Sequence, residues 1–221
     1  MNIFTKTPIG NVPIFFWGLL AFIAVPIMTF AQDAPPPTAE KVEYSPYPEQ
    51  NFPNNVYFGD THLHTAYSAD AGLAGNTLGP DDAYRFAKGE AVTSSTGVRA
   101  QLKRPLDFLV VADHSENLGL PIALRENSPV LKENEWGRTI LETFKPGTTE
   151  AINEAYLQWF GAVNEPGGKD PMAGTGLTET YWQQMTKIAD EHNTPGLFTA
   201  FIGFEWTSGP NGNNLHRNVV F

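Results

Sequence analysis

Apolar and polar residues fall along the chain in blocks that predict strands and helices in turn. The run Val56-Tyr57-Phe58 leads into Gly59-Asp60-Thr61-His62-Leu63-His64 and predicts a strand heading for the core, because aromatic and β-branched residues suit a pleated, half-buried surface. Residues 106–112 are apolar almost without alternation, as in strands covered by helices on both faces of a parallel sheet. Residues 197–204 predict a third strand, ended by Glu205, and residues 217–221 a fourth, opened by His216.

Between these strands the period lengthens. Pro80 opens a helix at a position where its missing N–H costs nothing, and Asp81 and Asp82 suit the positive end of the helix dipole. Ala83, Phe86 and Ala87 share its inner face, and Gly89 stops it. Residues 148–163 carry Ile152, Ala155, Tyr156, Trp159, Phe160 and Val163 at helical spacing, an aromatic stripe that reads as core. Residues 178–192 place Tyr181, Trp182, Met185, Ile188 and Ala189 on one face, with Pro195-Gly196 as the stop. Residues 65–72 and 165–176 read as loops, 92–105 as short strands or a hairpin, and 115–144 as irregular with helix. Alternating strands and helices imply an α/β fold, a parallel sheet with right-handed crossovers.

The ends change the picture. An apolar run over residues 12–30 follows Lys6 and precedes Thr29-Phe30-Ala31, which predicts a signal peptide over residues 1–31 cleaved before Gln32. An uncleaved anchor is the alternative, since the run is near the length that spans a bilayer. Residues 32–50 form a Pro-rich tether, and residues 51–221 remain for one domain. Net charge is −10, and removing the leader with Lys6 takes it to −11. That charge argues against a sequence-independent grip on nucleic acid. It is compatible with a small anionic substrate, because bound metal ions invert the local field. There is no cysteine, so no disulfide and no thiol nucleophile.

The chemistry concentrates at the strand ends. Side chains two apart on a strand share a face, so Asp60, His62 and His64 line one side, with the two imidazoles roughly 6.6 Å apart along the strand and able to lean onto one ion. Taken alone, the same pattern also fits two histidines that merely alternate. Asp60, one step back, is placed to fix the tautomer of a ligand histidine, and Asp113 stands in the same relation beside His114. His62, His64, His114 and Glu205 all fall at or just past the ends of predicted strands, where sites form in parallel α/β sheets. Imidazole with carboxylate is the ligand set of zinc, manganese or iron. His192, in the polar helix end Asp190-Glu191-His192-Asn193, reads as solvated.

His62-Leu63-His64-Thr65, Ala112-Asp113-His114, Gly203-Phe204-Glu205 and His216, in that order, resemble the motifs of the polymerase-and-histidinol-phosphatase (PHP) superfamily. Within it, residues 59–89, 104–116, 201–208 and 216–221 resemble the branch filed as domain-of-unknown-function family 3604. The resemblance implies a distorted (β/α)7 barrel holding two or three divalent ions. By position, His62 and His64 would bind the first ion, Glu205 would bridge the first and second, His216 would bind the second, and Asp70 and His114 the third. Asp70 stands where many relatives place a histidine. The superfamily pattern also calls for a further histidine and an Asp-x-His pair. The chain ends at Phe221 in an apolar stretch without them, and is therefore read as the N-terminal part of a longer barrel; loss of part of the site is the alternative.

The resemblance further implies a bacterial, metal-dependent hydrolase, a phosphoesterase using metal-activated water. The leader, with Lys6, the apolar run and Thr29-Phe30-Ala31, makes it exported, periplasmic or secreted, and free of the membrane once the signal is cleaved. No Gly-x-Ser-x-Gly elbow is present. A non-catalytic secreted metal-binding domain, or a hydrolase of other esters or amides, are the alternatives. Arg217 is shaped to hold a phosphate through its planar fork of donors. Strand alternation points it away from His216, whereas a place in the loop before the strand would turn it toward the site. An ion pair with Asp60 or Asp113 is its structural alternative.

Overall fold

The computed structural model describes residues 55–165, 170–208 and 213–221. The expected signal peptide and tether, residues 1–31 and 32–50, lie outside the described residues. In chain order the elements are β1 (Gly59–Leu63), α1 (Ala69–Leu73), α2 (Pro80–Ala87), β2 (Val92–Thr93), β3 (Arg99–Ala100), β4 (Phe108–Val111), α3 (Leu120–Arg125), a short 3₁₀ helix (Pro129–Lys132), α4 (Glu135–Phe144), α5 (Thr149–Asn164), α6 (Leu177–His192), β5 (Thr199–Ser208) and β6 (Leu215–Val220). Strands β1, β4, β5 and β6 lie side by side in that order, and β2 and β3 form a separate two-stranded hairpin. The fold is α/β with a mostly parallel sheet: β1 and β5 both run parallel to β4.

Strand β6 departs from the expected all-parallel sheet and pairs antiparallel with β5. Only residues 209–214 separate the two, and a parallel crossover needs a dozen residues or more, so this connection closes a hairpin. Strand β5 also runs past Glu205 to Ser208 rather than ending there. Val56, Tyr57 and Phe58 do not enter the core but are exposed. Among the described residues β1 has β4 as its one neighbour, so the chain leading into it is covered on one side only.

The core gathers Leu109 and Val111 of β4 with Leu120, Ala123 and Leu124 of α3, Ile140 of α4, Trp159 of α5, and Leu177, Met185 and Ala189 of α6. Full burial of each large apolar side chain stabilises by roughly 1.5–3 kcal/mol, so this cluster fixes how the helices sit on the sheet. Pro80 opens α2 as its sequence predicts, with Asp81 and Asp82 in the first turn. The deepest residue of α2 is Tyr84, whose hydroxyl donates to the Phe201 carbonyl at 3.2 Å. Thr148 caps α5 by accepting the Ala151 amide at 3.2 Å.

Two helical details differ from the sequence expectation. Residues 69–73, expected as loop, form the single turn α1, because Ala69 and Leu73 bury against the core. His192, expected in solvent, is buried: its Nε2 lies 2.8 Å from Asp81 Oδ1 and its ring stacks on Tyr84. The last turn of α6 packs on the first turn of α2, a long-range contact that local polarity does not reveal. No helix among the described residues is long and apolar enough to cross a membrane.

Candidate metal centre

The end of β1 carries the first two ligand candidates. Its pairing with β4 shifts between Asp60 and Leu63, where two residues of β1, Thr61 and His62, stand against one of β4, Val110. A bulge of this kind re-aims the side chains beside it. His62 and His64 converge accordingly, with their Nε2 atoms 3.1 Å apart. Asp60 acts on His62 through the main chain, accepting the His62 amide at 2.9 Å, and not through the imidazole as expected.

The parallel register of β4 and β5 supplies the next two. Past Val111 the pairing resumes as a bridge between His114 and Glu205, locked by the Glu205 amide on the Asp113 carbonyl (3.0 Å) and the Ser115 amide on the Glu205 carbonyl (2.8 Å). Glu205 is 1% exposed and sits at the centre of the cluster. Its Oε2 lies 3.0 Å from His62 Nε2, 2.7 Å from His64 Nε2 and 3.6 Å from His114 Nε2. Its other oxygen lies 2.6 Å from His216 Nδ1, brought across by the β5–β6 hairpin, in which His216 pairs with Thr207. Asp70, in the first turn of α1, reaches back: His64 Nδ1 lies 3.1 Å from both its carboxylate oxygens and His114 Nε2 3.6 Å from one.

Six side chains from three separate stretches of the chain, 62–70, 114 and 205–216, thus meet at one edge of the sheet. Among the described residues they form three groups, each close enough to share an ion: His62, His64 and Glu205; His64, Asp70 and His114; His114, Glu205 and His216. Imidazole nitrogens facing carboxylate oxygens are a fitting donor set for zinc, manganese or iron, and Glu205 belongs to two of the three groups.

The electrostatics fit such a role. Burial by itself would raise the Glu205 carboxyl, but the His62 hydrogen bond and the charges of His114, His64 and His62 bring it below its ordinary value. Asp70 is likewise driven down against its burial, by hydrogen bonds from His64 and Ser68 and by nearby imidazole charge. Burial works against a His64 cation, yet the hydrogen bond and charge of Asp70 outweigh it and raise the His64 pKa. Both carboxylates are therefore ready ligands near neutral pH.

A supporting ring lies behind the cluster. Asp113 is fully buried and accepts both the amide and the hydroxyl of Thr65, the latter at 2.6 Å; burial pushes its carboxyl up to about 6. It holds the chain after His64 against the chain before His114 and does not touch a ligand ring. Three supporting residues escaped sequence reasoning. Ser68 donates to Asp70 Oδ1 at 2.5 Å and accepts the His114 amide at 3.1 Å. Glu116 lies 3.3 Å from His114 Nδ1, and Thr207 lies 3.2 Å from that atom and 3.3 Å from His216 Nδ1. A His114 Nδ1–H donated to the Thr207 hydroxyl would turn the Nε2 lone pair toward the cluster. Glu116 stands two residues after His114, a same-face spacing in extended chain that was the one available signal.

Arg217 lies on β6 opposite Trp206, and its Nη1 donates to the His216 carbonyl at 2.8 Å. Neither Asp60 nor Asp113 pairs with it among the described residues. Its side chain is exposed, so Arg217→Lys should leave the melting temperature within about 1 °C, an exposed substitution being worth at most a few tenths of a kcal/mol. A larger drop, read by calorimetry, would reveal a structural ion pair.

Residues 51–221 match the family described as "Protein of unknown function (DUF3604)". No curated protein and no solved structure matches the chain. The matched span takes in every residue of the cluster, from His62 to His216, and most of the chain. The chain belongs to the DUF3604 family.

Proposed function

We propose that this chain carries the metal centre of an exported hydrolase of phosphate esters, built on the barrel of the PHP superfamily. The observation that supports this reading best is Glu205, a buried carboxylate placed between His62 and His64 on one oxygen and His216 on the other. A carboxylate so shared is what two neighbouring divalent ions require. His62, His64 and Glu205 would hold one ion, His114, His216 and Glu205 a second, and Asp70 with His64 or His114 a third. The chemistry such ions supply when bound is Lewis acidity, which lowers the pKa of water and neutralises anionic oxygens.

The chain's own residues do the rest. Asp113 and Thr65 fix the backbone between His64 and His114, and Ser68 orients Asp70, so the donors are preorganised. Thr207 holds the outer Nδ1 of His114, with Glu116 beside it at 3.3 Å, and also reaches the cluster-facing Nδ1 of His216. Hydrolysis breaks the ester P–O bond, whose electron pair leaves with the alcohol oxygen. The oxygen of water ends on phosphorus, and its two protons divide between the alcohol and the phosphate. No serine or cysteine nucleophile is required.

The substrate is a small phosphorylated molecule, and the compartment is the periplasm or the exterior of a bacterium. Metal analysis of the purified protein, together with a screen of phosphomonoesters, phosphodiesters and carboxylic esters, tests the reading. Bound zinc, manganese or iron and phosphoester turnover lost in His62→Ala are expected. A protein free of metal, or turnover surviving His62→Ala, would overturn it.

A further inference from the structure

Beside the metal centre lies a cavity of ≈ 140 Å³, with His114 and His216 on one side and Tyr156, Trp159 and Phe160 of α5 on the other. We propose that this cavity holds the ring of an aryl phosphate and that the aromatic face of α5 selects it. The phosphate end of this inference rests on the hydrolase reading; the ring end rests on the cavity alone.

The aromatic residues stand at positions 156, 159 and 160, one face of the helix at spacings of three and four. Their sequence pattern reads as core, and Trp159 is core with Tyr156 packed against it, while the outer end of the stripe faces the cavity. Of the stripe, Ala155 and Trp159 are buried, while Phe160 is 42% exposed. Tyr156 and Phe160 lie nearly parallel, at 6.2 Å between centroids and 13°, and Tyr156 meets Trp159 at 5.7 Å. They form an aromatic wall whose outer member has no core to pack against. Trp159 in turn lies 6.2 Å from the His114 ring, so the wall is continuous with the metal ligands.

Size and charge narrow the occupant. A cavity of about 150 Å³ has room for one benzene ring, and this one is apolar along α5, its opposite side carrying Asp70 and Glu116 beside the imidazoles. Aromatic walls favour a flat ring through offset and edge-on contacts, which an alkyl chain of equal volume cannot make. No lysine or arginine lines the cavity among the described residues, so it offers no cation of its own to an anion. The phosphate therefore belongs at the imidazole and carboxylate cluster, and the ring lies against α5.

Calorimetric titration of the manganese-loaded protein with phenylphosphonate and with methylphosphonate reads this directly, since neither compound can be hydrolysed at its P–C bond. Phenylphosphonate should bind about tenfold tighter, a difference of about 1.4 kcal/mol. Phe160→Ala, at an exposed position that the fold tolerates, should shrink the preference to about two- to threefold, as expected when one face of a ring pocket is removed. Equal affinities, no binding of either compound, or a preference unchanged in both Phe160→Ala and Tyr156→Ala would each overturn the inference. A phenyl preference that falls in Phe160→Ala, in a protein that hydrolyses no phosphate ester, would keep the ring site and refute the catalytic reading instead.

Discussion

Glu205→Gln should strip the protein of most of its bound metal and lower phosphoester turnover by at least about a thousandfold in kcat/KM, a loss of about 4 kcal/mol in transition-state stabilisation. The substitution keeps the shape of the side chain and removes its charge. Glu205 belongs to two of the three ligand groups, whereas Asp70 belongs to one. Asp70→Asn should therefore cost the smaller share of metal, and comparison of the two variants by elemental analysis separates a shared ligand from an unshared one. A glutamine also sets an amide beside imidazoles that had faced a carboxylate, at 2.6 Å for His216 and 2.7 Å for His64. Thermal unfolding supplies a check independent of activity. Metal that binds only the folded state raises the melting temperature by mass action, about 2.7 kcal/mol at a hundredfold excess over Kd. The wild type should show this rise on adding manganese or zinc, and Glu205→Gln should not. Equal metal content in the two proteins would remove Glu205 from the centre.

Much of this candidate site was legible in the sequence, for a physical reason. Sites in a parallel sheet form at the carboxyl edge, so candidate ligands cluster where apolar runs stop. His62, His64 and His114 stand at or next to strand ends, and Glu205 ends its apolar run although β5 continues to Ser208. What was not legible depends on contacts made across the chain. The bulge in β1 that turns His62 and His64 together follows from its register with β4. The antiparallel turn of β6 follows from a connection too short for a crossover. Glu116, Ser68 and Thr207 are ordinary polar residues until β4 and β5 bring them beside the ligands. His192 looked solvated because its neighbours in sequence are polar, and α2 covers it from 111 residues away. The aromatic stripe of α5 was correctly periodic, but periodicity reports a shared face and cannot say whether protein or cavity lies against it.

Gly119→Ala should destabilise the fold by roughly 2–5 kcal/mol, and two independent costs add to that figure. Gly119 holds φ at +84°, the left-handed region, where a Cβ costs roughly 1–2 kcal/mol. A Cβ there would also overlap the Tyr181 ring, and such overpacking costs roughly 1–3 kcal/mol. The position gives little room to relax. The Gly119 amide donates to the Tyr67 carbonyl at 2.8 Å, its carbonyl accepts the first amides of α3, and the Tyr67 and Tyr181 rings meet edge to face at 5.2 Å. This ties the chain after His114 to the chain after His64, so the loss reaches the frame of the candidate metal centre. For a domain of this size the melting temperature should fall by on the order of 10 °C. Tyr181→Leu in the same chain separates the two costs, since it relieves the overlap and leaves the backbone strain untouched. Measured by denaturant unfolding, the double variant should be less destabilised than the sum of the singles by roughly 1–3 kcal/mol, the overlap component alone. Strict additivity would show that Tyr181 does not limit the position, and a change under about 1 kcal/mol for Gly119→Ala itself would show that the turn before α3 is not held as described.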